Sequence, residues 1–185
     1  MFAFIKGNIR FIKKDYVCVD NNSIGYKVFT NNTNLFNVGE LVEFYVNDVI
    51  KDEEIYIYGF QNQPDLTLFN QLITVSGVGF KTAFSLFNNL SGEQIVYFIK
   101  TNNANVLSSI SGVGCKAQRI ILELKNKIDQ IYDNNFIEYK DVFEALKSLG
   151  YKICNISKVL SCIKPGYSND ECLKLAIKEI KNYEC

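Results

Sequence analysis

Two hydrophobic patterns divide the chain. Up to about residue 62, apolar and aromatic residues come in short runs that are separated by turn-forming Asn, Asp, Ser and Gly residues, a pattern typical of β-strands. The runs include Phe2 and Phe4 and residues 9–12, 16–19, 26–29, 42–46 and 55–58. Five or six short strands in about sixty residues indicate a small β-barrel.

From Asp65 onward, apolar residues recur at the three- and four-residue spacing of amphipathic helices. Residues 91–94 and 168–171 each match a capping box, in which a Ser begins a helix and a Gln or Glu follows three residues later. The pattern predicts helices on both sides of residues 77–79 and 112–114. It also predicts a long apolar stripe over residues 117–131 and three short helices after residue 140, the first ending at Gly150.

The tripeptide Gly-Val-Gly occurs twice, 35 residues apart, and a lysine follows two residues after each copy. A tight turn between helices needs glycine at positive φ, and the next helix begins with unpaired N–H groups and a positive dipole end. Such a turn accepts a phosphate, so each copy could hold one DNA strand without reading its bases. A single copy is equally well a plain turn, whereas two copies favour phosphate binding. The predicted DNA-binding residues are Gly77, Val78, Gly79, Lys81, Gly112, Val113, Gly114 and Lys116.

The charge distribution agrees with this placement. The whole chain has 20 basic and 20 acidic residues, which argues against a general nucleic-acid coat. Residues 66–131, however, carry 6 basic and 3 acidic side chains, so the positive excess lies in the segment that holds both turns. Because the chain shows no signal-peptide pattern and no apolar run near the ~20 residues of a membrane span, we expect a cytoplasmic protein that does not contact membranes.

The chemistry of the chain predicts no catalytic centre. There is no histidine, and residues 79–82 lack the glycine that a phosphate-binding Walker loop places directly before its lysine. The six cysteines form no C-x-x-C pair, so we expect reduced thiols rather than disulfides or metal ligands. We therefore expect no metal, no cofactor and no ATPase site. The alternative of a repair glycosylase or nuclease needs a catalytic lysine or aspartate just beyond a turn, where residues 115–125 offer only Lys116, Glu123 and Lys125.

The order of these parts resembles the RuvA family, whose members bind four-way Holliday junctions and recruit the RuvB motor for branch migration. Local matches lie at residues 23–26 (Ser-Ile-Gly-Tyr), 58–60 (Tyr-Gly-Phe), 76–81 (Ser-Gly-Val-Gly-Phe-Lys), 120–125 (Ile-Ile-Leu-Glu-Leu-Lys) and 149–151 (Leu-Gly-Tyr). The resemblance implies a multi-domain α+β fold. Its parts would be an oligonucleotide-binding (OB)-like barrel over residues 1–63, a tandem helix-hairpin-helix domain over residues 64–131, a short linker over residues 132–139, and a three-helix motor-binding domain over residues 140–185.

The same resemblance implies an assembly and a set of partners. Four copies would surround a fourfold axis that matches an open junction, and Asp52 and Glu53 would form the acidic pin near its centre. The expected partners are four-way junction DNA, a hexameric RuvB-type ATPase and, where the organism has one, a RuvC-type resolvase. The candidate motor-binding residues are Leu146, Leu149, Tyr151, Leu173 and Ile177, of which we expect at least two to belong to the helical core instead.

The chain departs from the family pattern in its second turn. Gly114 is followed by Cys115 and a single lysine, where the family tends to show two lysines, so the segment is one residue short. The first turn has Phe80 where proline is common. These differences keep open a second interpretation, a non-catalytic DNA-repair scaffold with weakened DNA binding.

Overall fold

The structure, a computed structural model, describes residues 2–31, 33–51, 53–128, 131, 140–151, 155–156, 159–160, 163 and 167–180. The chain divides into two compact units, Met1–Thr74 and Val75–Cys185. The first unit carries the strands and one helix, and the second carries the remaining helices.

The first unit is a closed five-stranded barrel with the strand order β1-β2-β3-β5-β4. All neighbours pair antiparallel except β3 and β5, which run parallel. Alternating side chains point inward, so the valines at 17, 19 and 28 are fully buried. The strands are β1 (Phe4–Ile12), β2 (Tyr16–Asn21), β3 (Ile24–Phe29), β4 (Leu41–Lys51) and β5 (Glu54–Phe60).

Turn chemistry and one close approach help to close the barrel. Asn22 and Ser23 both have positive φ, 51° and 68°, as the two-residue hairpin turn between β2 and β3 requires. A Cβ added to Gly59 would lie 2.3 Å from Val28 Cγ1, so this strand position has room only for glycine. Helix α1 (Gln63–Thr74) packs in the same unit, where the Phe69 ring lies 5.0 Å from the Phe60 ring.

The second unit contains six described helices: α2 (Phe80–Asn89), α3 (Gly92–Lys100), α4 (Ala104–Ser108), α5 (Lys116–Leu124), α6 (Lys140–Ser148) and α7 (Asn169–Ile180). The capping box predicted at the start of α3 is confirmed, because the Ser91 hydroxyl accepts from the Gln94 amide while the Gln94 side chain accepts from the Ser91 amide. The Phe143 ring of α6 lies 5.3 Å from the Phe98 ring of α3.

The ends of the last helices also follow the sequence. Gly150 has a φ of +88°, and its amide and that of Tyr151 donate to the carbonyls of Lys147 and Leu146, which is the Schellman ending of a helix. At the start of α7, the Glu171 amide donates to Ser168 Oγ at 3.4 Å and the Ser168 amide donates to the Glu171 carboxylate at 3.1 Å, so the second capping box is confirmed. Between these helices, residues 155–156 and 159–160 are helical.

The predicted barrel and the predicted change to helices are confirmed. The apolar stripe over residues 117–131 is not one helix, because α5 ends at Leu124 and a turn follows before the buried Ile128. The predicted linker, residues 132–139, lies outside the described residues. None of the helices within the described ranges is long and apolar enough to cross a bilayer.

Candidate nucleic-acid interface

The two Gly-Val-Gly copies begin as the same turn. The Val78 amide donates to the Val75 carbonyl at 2.9 Å, and the Val113 amide donates to the Ile110 carbonyl at 3.1 Å. The third residue of each turn is a glycine of matching conformation, with φ of +83° at Gly77 and +84° at Gly112. This is the position at which a type II turn needs positive φ. Both valines are buried, so each turn is anchored to the unit by its last residue, the valine of the tripeptide.

The two turns diverge after the valine. Gly79 has φ −91° and ψ 174°, an extended conformation, and serves as the N-cap of α2. Gly114 has a φ of +48°, and helix α5 begins only after Cys115. The expectation that the turn glycines have positive φ is therefore confirmed at Gly77, Gly112 and Gly114 and wrong at Gly79. The sequence could not predict this difference, because the two tripeptides are identical.

The surface at Gly79 is open. A Cβ placed there would meet no atom within 4 Å, and its φ is one that any residue adopts. Neither packing within the chain nor backbone strain therefore explains a glycine at this position. Its missing side chain leaves room for another molecule to approach the backbone at the start of α2.

Neither of the two helices that follow the turns has a side-chain cap. The N-cap of α2 is glycine, and the side chain of Cys115, the N-cap of α5, accepts no capping hydrogen bond. The positive dipole end of each helix therefore lies at the surface beside a glycine-rich turn, which is the arrangement that attracts a phosphate.

The two lysines occupy different environments. Lys81 is the second residue of α2 and is exposed, whereas Lys116 is the first residue of α5 and is half-buried. Lys116 Nζ donates to Thr82 Oγ1 at 3.0 Å and to the Gly112 carbonyl at 3.4 Å. The Thr82 hydroxyl in turn donates to the same carbonyl at 3.3 Å. The charge of Lys116 thus helps to hold the second turn against α2.

Sequence reasoning missed Arg119. Nη1 of this exposed residue of α5 donates a hydrogen bond to the Ser76 carbonyl of the first turn at 3.2 Å. The same atom lies 3.7 Å from the position that a Cβ on Gly77 would occupy. The first turn therefore has two cations close by, Lys81 from its own helix and Arg119 from the helix after the second turn. The only signal in the sequence was a basic residue on the polar face of α5, and a contact between residues 43 positions apart cannot be derived from that.

The acidic turn lies at the tip of the β4–β5 hairpin. Lys51 and Glu54 form the last pair of the ladder, and Glu53 is exposed with a φ of +66°. The other predicted pin residue, Asp52, lies outside the described residues. Glu54 accepts a hydrogen bond from the Tyr56 hydroxyl at 2.9 Å.

The candidate motor-binding residues fall into two groups. Leu146 is fully buried and belongs to the core of the second unit, as expected for some of these residues. Leu149 is 61% exposed at the end of α6, and the remaining three are half-buried: Tyr151, Leu173 and Ile177. Within the described parts of the chain, no group of three or more His, Cys, Asp or Glu residues is placed to hold a metal ion.

Comparison with known proteins identifies the class to which this combination of a barrel and two glycine turns belongs. The model of the RuvA N terminal domain matches residues 1–59, and the model of the RuvA C-terminal domain matches residues 138–181. A curated protein of Clostridium botulinum (strain Loch Maree / Type A3) is 34% identical over 195 residues, which cover 97% of this chain and 99% of the relative. One of Clostridium tetani (strain Massachusetts / E88) is 36% identical over 193 residues, or 96% and 98% of the two chains. Both relatives are named Holliday junction branch migration complex subunit RuvA. The chain belongs to the RuvA family, and the resemblance seen in its sequence is confirmed.

Proposed function

We propose that this chain binds four-way Holliday junction DNA and recruits a RuvB-type hexameric ATPase for branch migration in recombination and repair. The observation that carries the proposal is the repeated glycine turn at two uncapped helix N-termini, in a chain whose relatives are named as branch migration subunits. The chain itself is the non-catalytic subunit, so ATP hydrolysis belongs to the partner.

The proposed DNA contacts are made to phosphates. At the first turn, the open Gly79 lets a strand approach the backbone N–H groups at the start of α2, and Lys81 and Arg119 supply positive charge. At the second turn, Gly112 and Gly114, on either side of the buried Val113, offer a similar exposed backbone next to the N-terminus of α5. Because such contacts reach only the backbone, binding is nearly independent of base sequence and falls steeply with salt.

The experiment compares a four-way junction with a duplex of the same sequence in gel-shift titrations over a salt series. The expected result is tighter binding to the junction. The variant Gly79→Val tests the first turn, because its φ and the open space allow a side chain in the folded protein. We expect a cooperative unfolding transition at a slightly lower temperature, because valine is a poorer N-cap than glycine, and weaker junction binding. Parental binding by this folded variant would refute the assignment of the turn.

The barrel and the helices after residue 140 have separate roles in the proposal. We assign the barrel, residues 1–63, to a homotetramer that gathers four acidic turns, each with Asp52 and Glu53, around the junction centre. Residues 64–131 bind DNA, and residues 140–185 bind the motor through an apolar surface around Leu149. Residues 132–139 form the linker between these two parts. A RuvC-type resolvase is a further partner of the same junction complex.

Deleting all residues after Tyr139 tests the division between DNA binding and motor binding. The truncated protein should bind junctions as the full chain does and should fail to stimulate the ATPase of its RuvB-type partner. If the truncated protein still drove branch migration at the normal rate, residues 140–185 would not be the motor-binding part of the chain.

One observation favours a second candidate, a DNA-repair scaffold with weakened DNA binding. In the second turn, Lys116 is hydrogen-bonded to Thr82. Helix α2 begins directly after Gly79, whereas α5 begins one residue further from Gly114. A scaffold of this kind would bind junction and duplex equally weakly in the same gel-shift series, whereas the junction-binding subunit separates them.

A further inference from the structure

The outer surface of the barrel carries a continuous row of aromatic side chains, which we name the aromatic strip: Phe11, Tyr16, Phe29 and Tyr56. Neighbouring ring centroids lie 6.4 Å apart for Phe11 and Tyr16, 5.7 Å for Tyr16 and Phe29, and 5.8 Å for Phe29 and Tyr56. The strip crosses four strands, β1, β2, β3 and β5, and all four rings are at least partly exposed.

The strand register explains why these rings point outward. Tyr16 is paired with Phe29, and the next pair along the same two strands, Val17 with Val28, fills the interior of the barrel. Side chains of successive residues in a strand alternate between faces, so the aromatic pair lies outside. On β1, the ladder is irregular between Ile9 and Phe11, and Phe11 is 42% exposed.

One lysine lies over the strip, and three other basic residues are close to it along the chain. Lys27 Nζ lies 4.7 Å from the centroid of the Tyr16 ring and 4.8 Å from that of Phe29. Arg10 neighbours Phe11 on β1, and Lys13 and Lys14 are exposed in the turn before Tyr16. These four residues are most of the six basic residues in the first 65, although Asp15 shares the turn. The Glu54 carboxylate accepts a hydrogen bond from the Tyr56 hydroxyl at the β5 end of the strip, so the basic residues lie towards its Phe11, Tyr16 and Phe29 end.

We propose that the aromatic strip is a binding platform for unpaired nucleotides of single-stranded DNA. Partly exposed rings beside basic side chains allow bases to stack while the backbone phosphates are neutralised. The outer face of strands 2 and 3 with the loop between strands 1 and 2 is also where five-stranded barrels of this type take up oligonucleotides. Bases inside a duplex already stack on each other, so the strip selects unpaired ones.

This site is distinct from the glycine turns and does not depend on them. The turns contact phosphates of any strand, whereas the strip requires the exposed face of a base. A protein with both sites could hold a junction and an unpaired stretch of DNA at the same time.

The test measures fluorescence anisotropy of a labelled oligothymidylate with the full-length protein. Phe11→Ala should weaken binding by about fivefold or more, as expected for the loss of one base-stacking ring. Lys27→Gln should weaken binding most at low salt and reduce its salt dependence. The matched controls are Phe4→Ala, a ring that is 57% exposed near the start of β1, and Lys6→Gln, whose Nζ pairs with Glu43 at 3.2 Å. Both controls should bind as the parent does.

Photo-crosslinking with an oligonucleotide that contains 5-iodouracil locates the site directly. Crosslinks to peptides that contain Phe11, Tyr16, Phe29 or Tyr56 support the proposal, as does a loss of oligothymidylate binding in Gly79→Val that is smaller than the loss in Phe11→Ala. Crosslinks confined to residues 77–81, or equal loss in the strip and control variants, would overturn it. The proposal would also be overturned if Phe11→Ala changed the molar mass measured by light scattering but left the oligothymidylate affinity unchanged. The strip would then be a contact between copies of this chain.

Discussion

Lys116 donates a hydrogen bond to Thr82 across 3.0 Å, so the lysine after the second turn is fixed to the helix after the first turn. Lys81, which stands at the same distance in sequence from its own turn, is exposed. Two sites that look equivalent in the sequence therefore differ in the structure. The first turn keeps an exposed lysine, and the second uses its lysine to hold Thr82 and the Gly112 carbonyl.

Lysine substitutions should separate these two roles. Lys81→Ala should weaken junction binding and lower the salt slope by about 0.9, the loss of one phosphate contact. Lys116→Ala should lower the free energy of unfolding by about 1 kcal/mol, because Thr82 and the Gly112 carbonyl lose a charged donor. Gel shifts and urea denaturation measure the two effects, with the exposed Lys127→Ala as the control for both. Equal loss of junction affinity in the two turn variants would contradict the asymmetry.

The two glycines of the first turn should also respond differently. Gly77→Ala forces a Cβ into a backbone with φ +83° and should cost about 1–2 kcal/mol of stability. At Gly79 the backbone has φ −91° and the surrounding space is open, so Gly79→Ala should cost only about 0.5–1 kcal/mol, from the poorer N-cap, while junction binding weakens. Thermal unfolding and gel shifts on the same preparations check this. A Gly79→Ala protein as unstable as Gly77→Ala would show that the turn has a different conformation.

The contrast between Gly77 and Gly79 shows which features of the structure the sequence predicts and which it does not. Capping boxes such as Ser91 with Gln94 were predictable because both partners lie within one helical turn. The short apolar runs between turn-forming residues likewise predicted the strands, since both signals are local in the sequence. The extended Gly79 and the Arg119 contact to Ser76 were not predictable. Each depends on residues that packing brings together, and two identical tripeptides give no sign that their last glycines differ in conformation.

The described cysteines should differ in reactivity. Cys115, beside the second turn, is exposed, whereas Cys172 is buried in α7 and burial raises the pKa of its thiol. Because the thiolate is the reactive form, its population at Cys172 begins to rise only at a higher pH than for an ordinary thiol. Iodoacetamide at about pH 8 should therefore label Cys115 before Cys172, as read by mass spectrometry of the peptides. Faster labelling of Cys172 in the folded protein would indicate that α7 opens readily.

Leu146 and Leu149 provide a matched pair for the motor-binding surface. Leu146→Ala removes a fully buried side chain and should cost about 2–5 kcal/mol of stability. Leu149→Ala, at a site that is 61% exposed, should leave stability nearly unchanged and reduce stimulation of a RuvB-type ATPase. Unfolding curves and ATPase rates with junction DNA distinguish the two effects. Normal stimulation by Leu149→Ala would exclude this residue from the proposed surface.

The acidic turn should determine how strongly the protein prefers junctions. Glu53 is exposed at the tip of the β4–β5 hairpin, and fourfold assembly would bring eight carboxylates of Asp52 and Glu53 within about a Debye length, ~8 to 10 Å. A continuous duplex must pass its phosphates across that field, whereas junction arms can diverge around it. Asp52→Asn with Glu53→Gln should therefore raise duplex affinity more than junction affinity, with a smaller effect at high salt. The control, Asp15→Asn with Glu43→Gln, removes the same charge elsewhere on the barrel. An unchanged junction-to-duplex ratio at low salt in the turn variant would assign the selectivity to the geometry of the assembly.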